Sequence, residues 1–181
     1  MKKIALFWLT LLLMGALVGC KEGINAVIKE KEPGVVRDYA VNSNNIVMNK
    51  AGNTIYIANI DVNTVTIVDS QTKKVTAEIP VGKSPVQLTL SPDENSLYVS
   101  CRYDNKIDII SIEKEKVVDS LDVGIEPYGV VTNQDGKKLY VANYRSSTLS
   151  VIDLTNKKVE SEIKVGDRPR TLAITADGHK L

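Results

Sequence analysis

The sequence predicts an all-β fold, a β-propeller of four-stranded antiparallel blades. The first observation is an internal repeat: the tyrosines of three similar segments, Tyr56, Tyr98 and Tyr140, are 42 residues apart, since 98 − 56 = 42 and 140 − 98 = 42. Three more landmarks keep this step: Val81-Gly82, Val123-Gly124 and Val165-Gly166; Pro85, Pro127 and Pro169; Asp93, Asp135 and Asp177. The second observation is that each period holds four short strand signals and no amphipathic helix. Four antiparallel strands in about 40 to 45 residues are typical of a propeller blade.

The third period shows the four predicted strands most clearly, at Pro127–Val131, Leu139–Asn143, Thr148–Asp153 and Val159–Val165. An Asp-Gly turn separates the first two, which favours a tight hairpin. The second strand is apolar on both faces, which indicates a position between neighbouring blades. The fourth alternates apolar and charged residues, so we expect it to be a half-exposed edge strand.

The number of predicted blades is about three and a half between Gly34 and Leu181, because Leu181 aligns with Leu139 and Leu97. Closed propellers generally have about four to eight blades. We therefore expect an incomplete propeller, part of a longer one. The alternative is a short chain that closes a ring by self-association.

The N-terminus predicts export, with a signal helix ahead of the repeats. Lys2 and Lys3 precede an uncharged apolar run over residues 4–19, which is shorter than the roughly 20 residues that a membrane span needs. Its end, Leu17-Val18-Gly19-Cys20, resembles the lipobox of bacterial lipoproteins. The resemblance implies cleavage before Cys20 and attachment of lipid to its thiol, hence a membrane anchor. The alternative is an uncleaved signal-anchor helix.

The predicted domain organisation follows from this: a signal peptide at 1–19, a lipidated N-terminus and polar tether at 20–33, and the repeats at 34–181. Lys21 stands where inner-membrane retention usually has Asp. The expected location is therefore the cell envelope, lipid-anchored in the outer membrane or at the cell surface.

Charge and cysteine content exclude other classes. The chain has 23 basic and 22 acidic side chains, and removal of Lys2 and Lys3 leaves 21 against 22. A nearly neutral mature domain disfavours nucleic acid as a partner. Lipidation of Cys20 would leave Cys101 as the other cysteine of the chain. We therefore predict no internal disulfide and a buried, unreactive Cys101.

The repeat resembles the YVTN family of β-propeller repeats. The matching segments are Tyr140-Val141-Ala142-Asn143, Val151-Ile152-Asp153 and the Val-Gly-x-x-Pro run 165–169. The middle repeat departs from the pattern, with Cys101 in place of Asn and Ser111 in place of Asp. The resemblance implies exported or surface proteins with seven-bladed propellers, most without established enzymatic activity.

Two sets of loops are expected at one rim of the propeller: those after each second strand and the Val-Gly-x-x-Pro loops. Loops on a rigid scaffold often carry function, and arginine and tyrosine suit protein, glycan or anionic ligands. The candidate ligand-facing residues are Arg102, Tyr103, Tyr144, Arg145, Arg168 and Arg170. The alternative is that these are ordinary solvated loop residues.

No catalytic, cofactor-binding or metal-ligating set stands out in the sequence. The repeated Asp93, Asp135 and Asp177 are turn residues, and His179, the one histidine, falls in a hairpin turn. The predicted function is therefore a non-catalytic envelope lipoprotein that binds a protein or a cell-wall or glycan component. The alternative is part of a propeller enzyme, lactonase-like or a haem- or quinone-linked oxidoreductase, whose active-site residues lie beyond Leu181.

Overall fold

The computed structural model describes residues 43–175 and 181, and side chains from residue 45 onward. The predicted signal peptide at 1–19, the tether at 20–33 and His179 lie outside the described residues. Within the described part, no helix has the length and apolar character needed to cross a bilayer.

Twelve strands form three four-stranded antiparallel sheets, each a meander with its strands in chain order. The strands are β1 (Ser43–Met48), β2 (Thr54–Asn59), β3 (Thr64–Asp69), β4 (Lys74–Pro80), β5 (Pro85–Leu90), β6 (Ser96–Cys101), β7 (Lys106–Ser111), β8 (Lys116–Asp122), β9 (Pro127–Thr132), β10 (Lys138–Asn143), β11 (Thr148–Asp153) and β12 (Lys158–Lys164). We call the sheets blades I, II and III. The predicted all-β propeller architecture is confirmed.

The blades repeat with the step of the sequence. Their first strands begin at residues 43, 85 and 127, so 85 − 43 = 42 and 127 − 85 = 42. A β-bulge interrupts the pairing of the third and fourth strands at the same place in every blade: Ile67/Val68, Ile109/Ile110 and Val151/Ile152. Because a bulge bends its strand and increases the local twist, its recurrence gives the three blades the same shape.

The hydrophobic core lies between the blades. Ile79 of β4 packs in one cluster with Leu88 and Leu97 of blade II. Leu121 of β8 packs in the next cluster with Leu139 and other residues of blade III. The second strand β10 is buried on both faces, apart from partial exposure of Lys138 and Tyr140, which agrees with its predicted position between blades.

The fourth strand of blade III differs from the prediction. The strands β4 and β8 alternate as expected, with Ile79 2% and Leu121 7% exposed. All seven residues of β12 are exposed, and Ile163, the equivalent of Leu121, is 49% exposed. The reason is that a blade buries this face only against the following blade, and no fourth sheet forms among the described residues.

The beginning of the next repeat nevertheless lies beside β9. A Cβ atom built on Gly129 would lie 2.8 Å from the carbonyl oxygen of Arg170 and 3.1 Å from the amide nitrogen of Leu172. Glycine is therefore required at this position in β9, because a side chain would meet backbone. The close approach holds residues 170–172 against blade III and places Arg170 at its rim.

Candidate functional site

Backbone hydrogen bonds join the two predicted sets of loops at one rim. The amides of Arg102 and Tyr103 donate to the carbonyls of Ser84 and Lys83, at 3.0 and 3.2 Å. One repeat later, the amide of Tyr144 donates to the carbonyl of Glu126 at 2.9 Å. In blades II and III, the loop after the second strand is thus attached to the loop that enters the same blade.

Positive backbone φ angles shape both sets of loops. Asn63, Asn105 and Ser147 occupy equivalent positions with φ of 55°, 56° and 54°. Ser84, Glu126 and Arg168 form a second equivalent set, with φ of 57°, 55° and 55°. The side-chain oxygens of Asn63 and Asn105 accept hydrogen bonds from the amides of Ser84 and Glu126, at 2.8 and 2.9 Å. The loops therefore present three different side chains, Ser, Glu and Arg, from one backbone geometry.

A cleft of about 510 Å³ opens at this rim beside blade III. It is lined by Arg102, Glu126, Tyr144, Arg145, Ser147, Asp167 and Arg168. We call it the rim cleft. Its volume lies within the roughly 300–1,000 Å³ of small-molecule sites, and its lining is mainly charged.

Glu126 joins two arginines in the wall of the rim cleft. Its carboxylate accepts hydrogen bonds from Arg102 Nη2 at 2.6 Å and Arg102 Nε at 3.0 Å, a fork contact on one oxygen. Arg145 Nη1 approaches the other oxygen at 3.4 Å. The hydrogen bonds from Arg102, followed by its charge and by Arg145, outweigh burial and lower the pKa of Glu126. The carboxylate is therefore ionised at neutral pH and offsets one of the two positive charges of Arg102 and Arg145.

Three tyrosine rings separate the guanidinium groups. The rings of Tyr128 and Tyr144 lie 5.7 Å apart, tilted by 44°. Arg102 lies 5.0 to 5.7 Å from the ring centroids of Tyr103, Tyr128 and Tyr144. Arg170 lies 5.1 Å from the Tyr144 ring and 5.7 Å from the Tyr128 ring. These are cation–π distances, and we call this group of side chains the arginine–tyrosine stack.

The stack alters the acidity of Tyr144. Arg170 Nη2 lies 3.5 Å from the Tyr144 hydroxyl, and Arg168 lies 6.0 Å from its ring centroid. The contact from Arg170 and the positive charges of Arg168, Arg170 and Arg102 outweigh desolvation and lower the pKa of Tyr144. The surroundings of this hydroxyl favour negative charge.

The structure therefore places all six sequence-predicted rim residues at the same rim, although Tyr103 lines a neighbouring cleft of about 340 Å³ with Ile60 and Asp61. Sequence reasoning missed Tyr128 and Glu126. Tyr128 follows Pro127 just as the selected Arg170 follows Pro169, so the repeat register could have identified it. Glu126 carries no comparable signal, because its contact with Arg102 spans 24 residues and two loops.

Behind the rim, each blade carries a buried polar network at equivalent positions. In blade I, Asn59 Nδ2 donates to Thr64 Oγ1 at 3.1 Å and Thr66 Oγ1 at 2.6 Å. In blade III, Asn143 Nδ2 donates to Thr148 Oγ1 and Ser150 Oγ. These uncharged networks join the second and third strands just below the loops.

Blade II has charged residues at the same positions, with Cys101, Lys106 and Asp108 replacing Asn, Thr and Thr. Asp108 is 1% exposed. Its carboxylate accepts from Ser120 Oγ at 2.6 Å and from the Gly82 amide at 2.7 Å, and Lys106 Nζ lies 3.0 Å away. Cys101 is fully buried, as predicted, and its Sγ lies 3.4 Å from Asp108. Burial, and then the Asp108 charge, raise the pKa of Cys101, so the thiol form is favoured.

Comparison with models of known protein families gives a match to one family. The model of the cytochrome D1 heme domain matches residues 49–153, which is more than half of the 181-residue chain. The chain belongs to the cytochrome D1 heme domain family. The matched residues run from the end of β1 to the end of β11 and include Arg102, Glu126 and Tyr144.

Solved structures agree with a propeller assignment for this D1-family chain. Hydrazine synthase of Kuenenia stuttgartiensis is similar, with a TM-score of 0.73, 28% identity, and coverage of 83% of this chain and 43% of that chain. A functionally unknown protein from Desulfotomaculum acetoxidans DSM 771 shares the fold at a TM-score of 0.67 and 14% identity, over 83% of this chain and 52% of that one. The chain thus spans about half the length of these structures. A search of curated proteins found no match.

The D1 family implies a heme, which makes specific demands on the residues at the rim cleft. Heme carries carboxylate groups on a planar ring, and guanidinium groups and tyrosine rings complement both features. Heme iron is bound in proteins by His, Cys, Met or Tyr. Of these, Tyr144 lines the cleft, while Cys101 is buried behind Asp108. The arginines suit the carboxylate edge of a heme, and the tyrosines suit its face. Within the cleft lining, Tyr144 is the residue whose type can bind heme iron.

Proposed function

We propose that the chain is part of a D1-type propeller of the cell envelope that binds heme at the rim cleft and serves a redox-related role. The observation that carries the proposal is the arginine–tyrosine stack at the rim of a D1-family fold. Family membership favours the redox alternative of the sequence analysis over a purely non-catalytic function. Since the chain spans 43% of the similar hydrazine synthase, the activity of a whole protein is part of this proposal.

The residues of the chain would have separate tasks toward heme. The guanidinium group of Arg168 lines the cleft and that of Arg170 lies beside it on the Tyr144 ring; both would bind carboxylates at the ring edge. Tyr144, which packs at a tilt against Tyr128, would lie against the ring face. The bound group would supply one-electron chemistry. The role of the protein is to bind and orient it and to supply positive charge at its acidic edge.

A hemin titration of the full chain tests this function. We expect the Soret band to shift on binding. Removal of the ring in Tyr144→Ala should weaken binding roughly tenfold, because stacking and the adjacent cation contacts are lost together. Ile163→Ala is the control, since it removes a large exposed side chain from β12, outside the rim cleft. It should bind hemin as the native chain does.

A Soret band that stays unchanged with the native chain would refute heme binding. That result would favour the second candidate, a non-catalytic propeller surface for a protein or glycan partner. The observation that supports the second candidate is the type and exposure of two rim residues: Tyr103 is 61% exposed and the Arg145 side chain 73% exposed. Tyrosine and arginine are residue types that dominate protein interfaces.

The proposed location depends on Cys20 and on the YVTN-type repeat as an exported module. We expect the native chain, produced in bacteria with labelled palmitate, to carry the label and to sediment with membranes. Cys20→Ser should abolish labelling and release the chain, because it removes the thiol that would carry the lipid and stable anchoring needs more than one acyl chain. Cys101→Ser controls for the loss of a thiol elsewhere. A Cys20→Ser chain that stays in the membrane would indicate an uncleaved signal anchor.

A further inference from the structure

The four arginines of the rim differ in how their charge is compensated. Arg102 and Arg145 share the carboxylate of Glu126. Arg168 and Arg170 form no ion pair with a carboxylate in the described part of the chain. Both are exposed. At the rim, Arg102 and Arg145 therefore share one carboxylate of the chain, whereas the positive charges of Arg168 and Arg170 are open to solvent.

These two open arginines are nevertheless ordered by their neighbours. Arg170 stacks on Tyr144 at 5.1 Å and on Tyr128 at 5.7 Å, and its Nη2 is 3.5 Å from the Tyr144 hydroxyl. Arg168 faces the same ring at 6.0 Å, from a backbone with φ of 55°. Guanidinium groups held on aromatic faces keep their N–H edges available, and preorganisation reduces the entropy that binding costs.

The charge balance of the rim as a whole favours an anionic ligand. The cleft lining holds the three arginines Arg102, Arg145 and Arg168, and Arg170 lies beside it on the Tyr144 ring. Glu126 and Asp167 of the lining bring two negative charges, so the site carries 4 − 2 = +2. Such an excess in a partly enclosed cleft attracts anions. A planar guanidinium pair matches the oxygen geometry of carboxylate and phosphate groups.

We propose that the rim cleft is a two-part anion site, in which Glu126 occupies the Arg102–Arg145 part and an external carboxylate or phosphate group binds the Arg168–Arg170 part. Glu126 then acts as an internal competitor for the ligand. The proposal refines the site of the proposed function, but it requires only the anionic group of a ligand and no iron.

Two probes separate the sources of the anionic group. Inorganic phosphate, followed by equilibrium dialysis with the full chain, tests a free anion. A metal-free porphyrin dicarboxylate, followed by its absorbance, tests carboxylates on a planar ring. Binding of the porphyrin without phosphate would assign the site to ring-borne carboxylates. Binding of phosphate, with or without the porphyrin, would assign it to free anions. Either result supports the external half of the proposal, and binding of neither probe would overturn it.

The variants test the division into two halves. The Arg168→Ala/Arg170→Ala chain should bind the probe at least about tenfold more weakly, since two charge-assisted contacts are lost. The control is Lys158→Ala/Lys164→Ala, which removes the same charge from exposed positions of β12 outside the cleft lining. Equal losses in both double variants would overturn the site in favour of a general charge effect.

Glu126→Gln tests the internal competitor. It removes one negative charge and releases the Arg102 fork while keeping the shape of the side chain, so the probe should bind about tenfold more tightly. Unchanged or weaker binding would overturn the assignment of Glu126 to the site.

The anion site and the proposed heme function can fail independently. If hemin binds through its iron and the Arg168→Ala/Arg170→Ala chain keeps full affinity for it, the anion site is refuted and the heme function stands. Tight porphyrin or phosphate binding with no Soret shift for hemin would do the reverse.

Discussion

Asp108→Ala should lower the free energy of unfolding by about 1–3 kcal/mol, because it removes a buried carboxylate that holds Lys106, Ser120 and the Gly82 amide together. Asp108 is 1% exposed and accepts hydrogen bonds from Ser120 and from the amide of Gly82. After the substitution, the ammonium group of Lys106 would have lost its nearest carboxylate, 3.0 Å away. Urea unfolding followed by circular dichroism measures the loss.

The matched control is Asp119→Ala. Asp119 contacts Lys157 at 2.5 Å on the exposed outer strand of the same blade. Exposed ion pairs contribute about 0–1 kcal/mol, so this variant should unfold almost as the native chain does. If the two alanine variants were destabilised equally, the buried network would have no special role in stability.

The same network predicts a dependence of stability on pH. Burial alone raises the pKa of Asp108, but the hydrogen bonds from Ser120, Gly82 and Lys106 more than offset it and lower the pKa below its usual value. A lowered pKa adds stability above the unfolded-state value of about 3.9, and the contribution is lost as the pH falls through that value and below it. Asp108→Asn should therefore lose less stability than the native chain between neutral and strongly acidic pH.

A repeat-based replacement tests the cause. Introducing the uncharged residues of blade I, as Cys101→Asn/Lys106→Thr/Asp108→Thr, should restore most of the stability lost in Asp108→Ala. The reason is that an Asn–Thr–Thr network satisfies its own hydrogen bonds in blade I, and uncharged replacement of a buried ion pair is often neutral. A triple variant as unstable as Asp108→Ala would show that blade II depends on the charges themselves.

Leu121→Ala should destabilise the chain by about 2–5 kcal/mol, the usual range for a buried leucine. Leu121 is 7% exposed and packs between blades II and III. The equivalent Ile163→Ala should cost less than about 1 kcal/mol, because surface substitutions change stability little and Ile163 is 49% exposed. Both values come from the same urea unfolding measurement.

This pair of variants also reports on blade packing in the full chain. The two residues occupy the same repeat position, so intrinsic strand preference is similar and the presence of a covering blade is the main difference. A large effect of Ile163→Ala would mean that something covers β12 in solution, either a second copy of the chain or the segment after residue 175. The dependence of that effect on protein concentration distinguishes these two cases.

The 42-residue repeat register is sufficient to predict most of the fold. In blade III the predicted third strand coincides with β11, Thr148–Asp153. The first two predicted strands differ from β9 and β10 by one residue at one end, and the fourth is shifted from β12 by one residue at both ends. The position of a strand depends on the local alternation of apolar and polar residues and on the turn residues at its ends, and both can be read from the sequence. Burial of a fourth strand depends on its neighbour, so the same pattern is half buried in β8 and exposed in β12.

The sequence by itself determined the 42-residue blade, the rim to which Arg102, Tyr144 and Arg170 belong, and the expectation of export and lipidation through Cys20. Only the tertiary structure decided that Glu126 pairs with Arg102 and that Tyr128 stacks against Tyr144. The tertiary structure was also needed to show that Asp108 is a buried charge that accepts a hydrogen bond from the amide of Gly82. The physical reason is that blade formation is local, whereas a cleft is made of side chains from separate loops. Their distances are set by how neighbouring blades pack.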